Sequence, residues 1–430
     1  MKKNKLLFIQ LNELNFEFLK PYLDKLNLKS FRSIVKEGFI ETTSENQYQE
    51  LEPWIQWASI STGKTYMEHK VFRLGDIVNY SGNQIYEVLE KKGLKVGAIS
   101  PMNAENRMLK PIYFIPDPWT NTKSDESFWS KSITKMIKQV VNDNTKGKAS
   151  VYSITIICLS LLRFGRLKNY LNYFYYFVTS YKKKWRRALF LDLLLHDIHL
   201  SLLKKNLNFS TIFFNGLAHI QHHYFLNAKE IKGKLENPNW YISNKLDPFG
   251  EALILYDKIL RDYINFKSYD LILATGLRQV PFDEVKYYYR LKNHSDFLKK
   301  FNIKFLKIDP RMTGDFLVSF LSEEDAKVAQ NKLSNIFADE GIKIFEEIEN
   351  RGDTLFLTLT YDKEIDKGLI VKSESTTVNL YDYVDFVGIK NGKHDKKGYF
   401  YSKGLPKKLS LNSNDHVKKI YNLIENYFAI

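Results

Sequence analysis

The chain has 430 residues, 44% of them apolar and 26% charged, and carries a formal charge of +15. This length and balance suit a folded protein of two or three domains and exclude a disordered chain, a collagen or a coiled coil. The single cysteine, Cys158, excludes a disulfide framework, a cysteine-built zinc site and a CxxC redox centre.

The opening residues, MKKNKLLFIQLNELNFEFL, hold too short an apolar run for a secretory signal, so a cytoplasmic location is expected, with a peripheral position at a membrane as a variant of it. Within them Leu6–Leu11 is apolar without alternation, the pattern of a strand buried on both faces. Leu94–Ile99, Thr211–Phe214 and Leu271–Ala274 repeat that pattern. Helical text lies between, at Leu19–Val35 and at Asn83–Lys92, which Gly93 closes. Strands alternating with helices predict an α/β fold around a parallel sheet, whose sites gather at the carboxyl ends of the strands. Those ends carry Asn12-Glu13, Ser100-Pro-Met-Asn103, Asn215 and Thr275-Gly276.

Residues 125–205 read as a helical insertion, a cap on the core. Between Asp143 and Asp192 there is no acidic residue but ten basic ones, from Lys146 and Lys148 through Arg163, Arg166 and Lys168 to Lys182, Lys183, Lys184, Arg186 and Arg187. The run Val151–Leu162 is too short to span a bilayer, which needs about twenty residues. With the aromatic stretch Tyr170–Tyr181 it makes either a helical hairpin resting on a membrane surface, with contact through residues 151–187, or a buried cap helix. Farther on, a strand at Phe316–Phe320, a helix at Glu323–Phe337 and strands at Ile342–Ile348 and Thr354–Tyr361 make a small α+β insertion. The expected division is a core of residues 1–124, 206–300 and 380–430, a basic cap of 125–205 and an α+β module of 301–379.

Three segments carry residues suited to chemistry. Asn215-Gly-Leu-Ala-His219-Ile-Gln-His222-His223-Tyr224 packs three of the nine histidines directly after a strand, and imidazole is the commonest metal ligand. Glu50-Leu-Glu52-Pro-Trp places carboxylates before a helix-like segment, whose free N–H groups suit an anion; an ordinary capped helix reads the same way. Asn391-Gly-Lys-His394-Asp395 is a polar turn before a strand at Tyr399–Ser402.

The order of these pieces resembles the alkaline phosphatase superfamily, near its type I phosphodiesterase/nucleotide pyrophosphatase branch, which implies an α/β/α sandwich. Leu6 to Glu13 resembles its first strand, and Trp57-Ala-Ser-Ile-Ser-Thr-Gly63 with Glu68-His69 resembles the stretch after its nucleophile. Ala218-His-Ile-Gln-His222 resembles its D-x-x-Q-H metal segment, and Gly392-Lys-His394 to Gly404 its closing metal-binding histidine motif. The pattern also departs from the family. Asn12 stands for the first Asp, Pro53 for the nucleophile, Ala218 for an Asp, and Gly276-Leu277 for an Asp-His pair. One metal shell is thereby lost. The other keeps His222 and His394, with His219 or His223 as third ligand.

The resemblance implies one divalent metal, zinc first and manganese or iron as alternatives. The attacking group would be water held by the metal or a carboxylate, Glu50 or Glu52, while Asn12, Glu13, Asn103 and Arg278 hold an anionic substrate. The leading expectation is a hydrolase or transferase acting on a phosphate or sulfate ester. The alternative is a degenerate member that binds a phosphorylated or acidic glycan without turnover. A nucleic-acid partner has only the net charge in its favour, since no zinc finger, RRM or Gly-rich phosphate loop is present.

Overall fold

The computed structural model describes residues 4–142, 149–231, 235–310, 314–338 and 341–429; Lys146 and Lys148 of the basic stretch lie outside them. The chain divides into two compact units, Met1–Phe282 with Asn391–Ile430, and Asp283–Lys390.

In the first unit the chain runs β1 (Leu6–Leu11), α1 (Lys29–Glu37), β2 (Ile40–Thr43), α2 (Pro53–Thr62), α3 (Ile85–Lys91), β3 (Val96–Ile99) and β4 (Tyr113–Ile115). Four helices follow: α4 (Phe128–Asn142), α5 (Val151–Phe164), α6 (Tyr170–Thr179) and α7 (Arg186–Leu202). Then come β5 (Phe209–Phe214), α8 (Gly216–Tyr224), α9 (Pro248–Ile264), β6 (Asp270–Ala274) and β7 (Arg278–Pro281). After the second unit, β8 (Gly392–Asp395), β9 (Lys397–Lys403), β10 (Asp415–His416) and α10 (Lys419–Ala429) complete the first.

Eight strands form one sheet in the order β10-β2-β9-β6-β1-β5-β3-β4. Pairing is parallel except along β9, which runs antiparallel to β2 and β6. All six residues of β1 are buried, as its mainly apolar text without alternation requires. Its one polar member, Gln10, donates from Nε2 to Thr211 Oγ1 at 3.0 Å, satisfied within the sheet. Leu7, Ile9 and Leu11 pack into a core with Leu193 of α7, Leu217 of α8 and Leu253 of α9, whereas Leu6 and Phe8 join Trp57 of α2, Leu89 of α3 and Ile420 of α10. Helices therefore cover both faces of the sheet, an α/β/α arrangement.

The sequence predicts one helix over Leu19–Val35; the structure breaks it into Phe16–Leu19, Tyr22–Lys25 and α1. Pro21 has no N–H to give, and Asn27 adopts a left-handed φ of 51°. The helical segment within residues 125–205 packs as part of the first unit. α5 opens on Ser150, whose side chain accepts from Ser153 N–H at 3.1 Å. α6 is pinned to α7 by Tyr173, whose hydroxyl donates to Asp197 Oδ2 at 2.8 Å.

Deep in this region Asp192 of α7 caps the next element. Its Oδ2 accepts from the backbone N–H of Gly216, the first residue of α8, at 2.8 Å, and from the Tyr256 hydroxyl. A Cβ on residue 216 would collide with that carboxylate, so glycine is required there.

The second unit begins at Asp283 and ends at Lys390, outside the expected limits of 301 and 379 at both ends. The reason lies in pairing: Tyr287–Leu291 is zipped antiparallel to Val384–Ile389, and Phe297 and Leu298 of the helix His294–Lys300 belong to this unit's core. An antiparallel sheet orders the strands Ile348–Asn350, Thr354–Thr358, Asp315–Ser319 and Lys307–Pro310. The helix Glu323–Ser334 sends Ala326, Ala329 and Leu333 into the same core. Ile342–Ile348 is not a continuous strand as its apolar text suggests; Ile344 turns inward and its carbonyl accepts from Thr360 N–H at 3.0 Å.

Candidate metal centre

The carboxyl ends of β1, β5 and β6 meet in the first unit. Immediately after β1 the backbone turns sharply, with Glu13 at a left-handed φ of 59°. That conformation is costly for a non-glycine residue, and here it is over-determined. Glu13 N–H donates to Thr275 O at 3.0 Å, and its own carbonyl accepts from Gln221 Nε2 at 2.9 Å and from Gln279 N–H at 3.2 Å. The turn aims a fully buried carboxylate at two imidazoles. His222 Nε2 lies 3.0 Å from Glu13 Oε2, and His394 Nε2 lies 3.2 Å from the same oxygen.

Each histidine arrives from a different element. His222 sits on the last turn of α8, where its carbonyl accepts from Asn391 N–H at 2.8 Å. His394 lies on β8 directly across from Gln279 of β7. The start of β8 is locked to the loop after α8 by amides: Asn391 Nδ2 donates to Asn237 Oδ1 at 2.9 Å, and Asn237 Nδ2 donates to Asn227 Oδ1 at 2.7 Å. The other nitrogen of His394, Nδ1, faces Glu52 Oε2 at 3.4 Å. Glu52 is the N-cap residue of α2, and Pro53 fills the first helical position, where a missing N–H costs nothing.

Burial pushes the Glu13 carboxyl up, and the charges and hydrogen bonds of His222 and His394 outweigh it, holding the group well below the usual carboxylate range. Asn12 Nδ2 and Gln279 Nε2 donate to its two oxygens. Among the described residues, Glu13, His222 and His394 form the one group of three whose ligand atoms all lie within 4.8 Å of one another. Two imidazole nitrogens and a carboxylate oxygen aimed at one point fit a divalent ion. A carboxylate on the far side of one imidazole holds the tautomer that leaves Nε2 to ligate.

The other expected residues take other places. His219 and His223, one helical turn apart, pack ring to ring with centroids 4.7 Å apart, outside that group of three. Asn12 is spoken for on both sides: Nδ2 donates to Asn215 Oδ1 at 2.9 Å, and Oδ1 accepts from Trp57 Nε1 at 2.7 Å. Arg278 is ringed by Glu17 at 2.7 Å, Asp395 at 3.2 Å and the Tyr399 hydroxyl at 2.8 Å. Asn103 ties the loop at Gly75 to α2, accepting from Gly75 N–H at 2.8 Å and donating to Trp54 O at 3.0 Å. Its N–H donates to Asp117 Oδ2 at 2.7 Å, so the Asn103–Asn106 and Pro116–Trp119 turns brace each other. Glu50 contributes its carbonyl, which accepts from Gln56 Nε2 at 2.9 Å.

Ser59 and His69, drawn together at 3.0 Å, invite comparison with a nucleophile and its base. His69 Nδ1 accepts from Val71 N–H at 2.9 Å, so the proton sits on Nε2 and is donated to Ser59 Oγ. The imidazole cannot also take the hydroxyl proton, and this pair is structural.

Trp57 and Gln221 lie within the motif segments with no role assigned to them, and Gln279 is the supporting residue that no motif covers. Gln279 neighbours Arg278, and a strand sends adjacent side chains to opposite faces. Trp57→Phe keeps a ring against Phe8 and Phe213 but strands Asn12 Oδ1 in the interior. We expect a loss of about 1–3 kcal/mol in denaturant unfolding, the cost of an orphaned buried acceptor. A variant within about 0.5 kcal/mol of wild type would show that Asn12 finds another donor.

No protein-family model matches the chain, and no curated protein matches it in sequence. Solved structures similar to it along nearly the whole chain include the following three. The murine ectonucleotide pyrophosphatase/phosphodiesterase 5 aligns at 10% identity and a TM-score of 0.43, covering 99% of this chain and 95% of that one. Phosphonoacetate hydrolase from Sinorhizobium meliloti 1021, in complex with phosphonoformate, gives 10% and 0.44 over 99% and 96%. A variant of the alkaline phosphatase PafA gives 10% and 0.43 over 100% and 96%. These likenesses are distant and lend no activity to this chain. Its own residues have to supply that.

Proposed function

We propose that the chain is a metal-dependent hydrolase or transferase acting on an anionic phosphate or sulfate ester. The observation that carries this reading is the convergence of His222 Nε2 and His394 Nε2 on Glu13 Oε2 at the carboxyl edge of the central strands. Glu13, His222 and His394 would hold one divalent ion, zinc first and manganese or iron as alternatives. When bound, the ion supplies Lewis acidity that offsets charge developing on an ester oxygen. Glu52 would orient His394 and keep its Nδ1 protonated. Asn12 and Gln279 hold the Glu13 carboxylate in place and leave its charge for the metal. The motif resemblance at Trp57–Gly63, Ala218–His222 and Gly392–Gly404 and the net charge of +15 support an anionic ester.

A second reading keeps the metal and the anionic ligand, a phosphorylated or acidic glycan, but not the turnover. It is favoured by the far half of the site. Pro53 is a helical N1 residue, Leu277 is fully buried, and Arg278 is already neutralised by Glu17 and Asp395. Elemental mass spectrometry of the purified protein, followed by assays on p-nitrophenyl phosphate, its bis-ester and p-nitrophenyl sulfate, separates the two. About one zinc, manganese or iron per chain with hydrolysis of one ester supports the enzyme. Metal without hydrolysis, but with glycan or phosphoester binding, supports the second reading. No metal bound or taken up on dialysis sinks both.

A further inference from the structure

The helices α5 and α6 are built the wrong way round for a domain in water. α5 turns Ser153 and Ser160 inward, with Ile156 and Phe164, and turns Ile154, Leu159 and Leu162 out. α6 buries Tyr173 and Tyr176 and exposes Leu171, Phe174 and Phe177. The exposure is not marginal: Leu162 is 77% exposed, Leu171 83%, Phe174 69% and Phe177 70%. Amphipathic surface helices show water their polar face, whereas both of these helices turn an apolar face outward. The buried cap helix anticipated for these runs would have hidden those side chains. α7 covers only their inner faces, through contacts such as Tyr173 OH to Leu193 O at 3.1 Å.

The rim of the patch is basic. Arg163 lies in the last turn of α5, Lys182, Lys183 and Lys184 follow α6, and Lys135 of α4 sits over the Tyr152 ring at 4.5 Å. Not every cation of the stretch belongs to this rim. Arg166 and Lys168 are held by Asp262, and Arg186 by Glu251. No acidic residue occurs on either helix or in the turn between them.

We propose that the α5–α6 hairpin docks on a bilayer surface rich in anionic lipid, with its outward Leu, Ile and Phe side chains in the interface and its Lys and Arg residues at the headgroups. Helices of 14 and 10 residues are too short to span, and among the described residues no helix is long and apolar enough to cross a membrane. They have the composition of helices that lie in the interface plane. A second copy of the chain fits the patch less well. An isologous contact would set the two basic rims against each other with no acid on the hairpin to pair with them. A negatively charged surface answers both the apolar face and the rim. The docking is independent of the metal centre and survives even if that reading fails.

The single cysteine provides the probe. Cys158 lies exposed on the outward face of α5. The unlabelled chain is sedimented with vesicles of phosphatidylcholine alone and with vesicles that also contain phosphatidylglycerol. A second sample, labelled at Cys158 with an environment-sensitive fluorophore, reports insertion. We expect at least ~10-fold stronger partition into the anionic vesicles, weakened by 0.5 M salt. The fluorophore should shift to the blue, and the double variant F174E/F177E should lose binding with an unchanged melting temperature. No partition into either vesicle would overturn the proposal. So would a dimer in analytical ultracentrifugation that shields Cys158 from labelling.

Discussion

Glu13→Gln is expected to weaken binding of the divalent ion at least ~100-fold and to abolish ester hydrolysis with it. Glu13 is the only anionic member of the three ligand groups, and both imidazoles approach its Oε2. An amide keeps the shape and one acceptor but loses the charge that makes an ion welcome in a buried site. Glu52→Gln provides the graded comparison. Its carboxylate faces the far nitrogen of His394, so its loss should weaken metal binding by about 10–100-fold, as for other outer partners. The check is metal affinity by competition with a chromophoric chelator, with the melting temperature of the metal-free proteins measured in parallel. Equal metal affinity in Glu13→Gln and wild type would remove Glu13 from the ligand set. Glu52→Gln as damaging as Glu13→Gln would instead make Glu52 a ligand.

The second expected result concerns pH. Burial pushes the Asp192 carboxyl up from its ordinary 3.8 to about 7, against the lowering pull of the Tyr256 hydroxyl and of the backbone N–H groups of Gly216 and Asn215. From pH 4 to 7 the folded chain then keeps a proton that the unfolded chain has released. Stability therefore falls as pH rises through that window and levels off above it, by an amount on the order of 4 kcal/mol in all. Asp192→Asn retains an oxygen for Gly216 N–H and Tyr256 O–H and does not titrate. The variant should unfold like wild type near pH 4 and become progressively more stable than wild type up to pH 8. Denaturant midpoints across that range test it. A difference that does not change with pH would mean that the amino terminus of α8 holds Asp192 ionised throughout, the helix-end dipole prevailing over burial. The consequence reaches the metal centre, because Asp192 caps α8 at its first residue, Gly216, and the last turn of the same helix carries His222.

Much of the framework is legible in the residues alone. The mainly apolar runs Leu6–Leu11, Thr211–Phe214 and Leu271–Ala274, which lack alternation, fall in the three middle strands of the sheet, as strands buried on both faces require. That text also places Asn12, Glu13, Asn215 and Gly276 at the strand ends, and the motif resemblance singles out His222 and His394 with them.

Which of these residues meet is a different matter, because no local pattern encodes it. Glu13 faces the two histidines because of a left-handed turn held by Thr275, Gln221 and Gln279, all distant in sequence. His394 reaches it through the pairing of β8 with β7, and Glu52 meets His394 because a helix N-cap happens to stand beside that strand. Arg278 carries the right charge for an anion, yet the packing hands it to Glu17 and Asp395. The basic hairpin makes the same point in reverse. A helix as uniformly apolar as α5 carries no periodicity that says which side faces the protein. Only its packing, with Ser153 and Ser160 turned inward, shows that the apolar side was left outside. Composition and spacing act along the chain and settle the elements; burial, register and charge pairing act across it and settle the site.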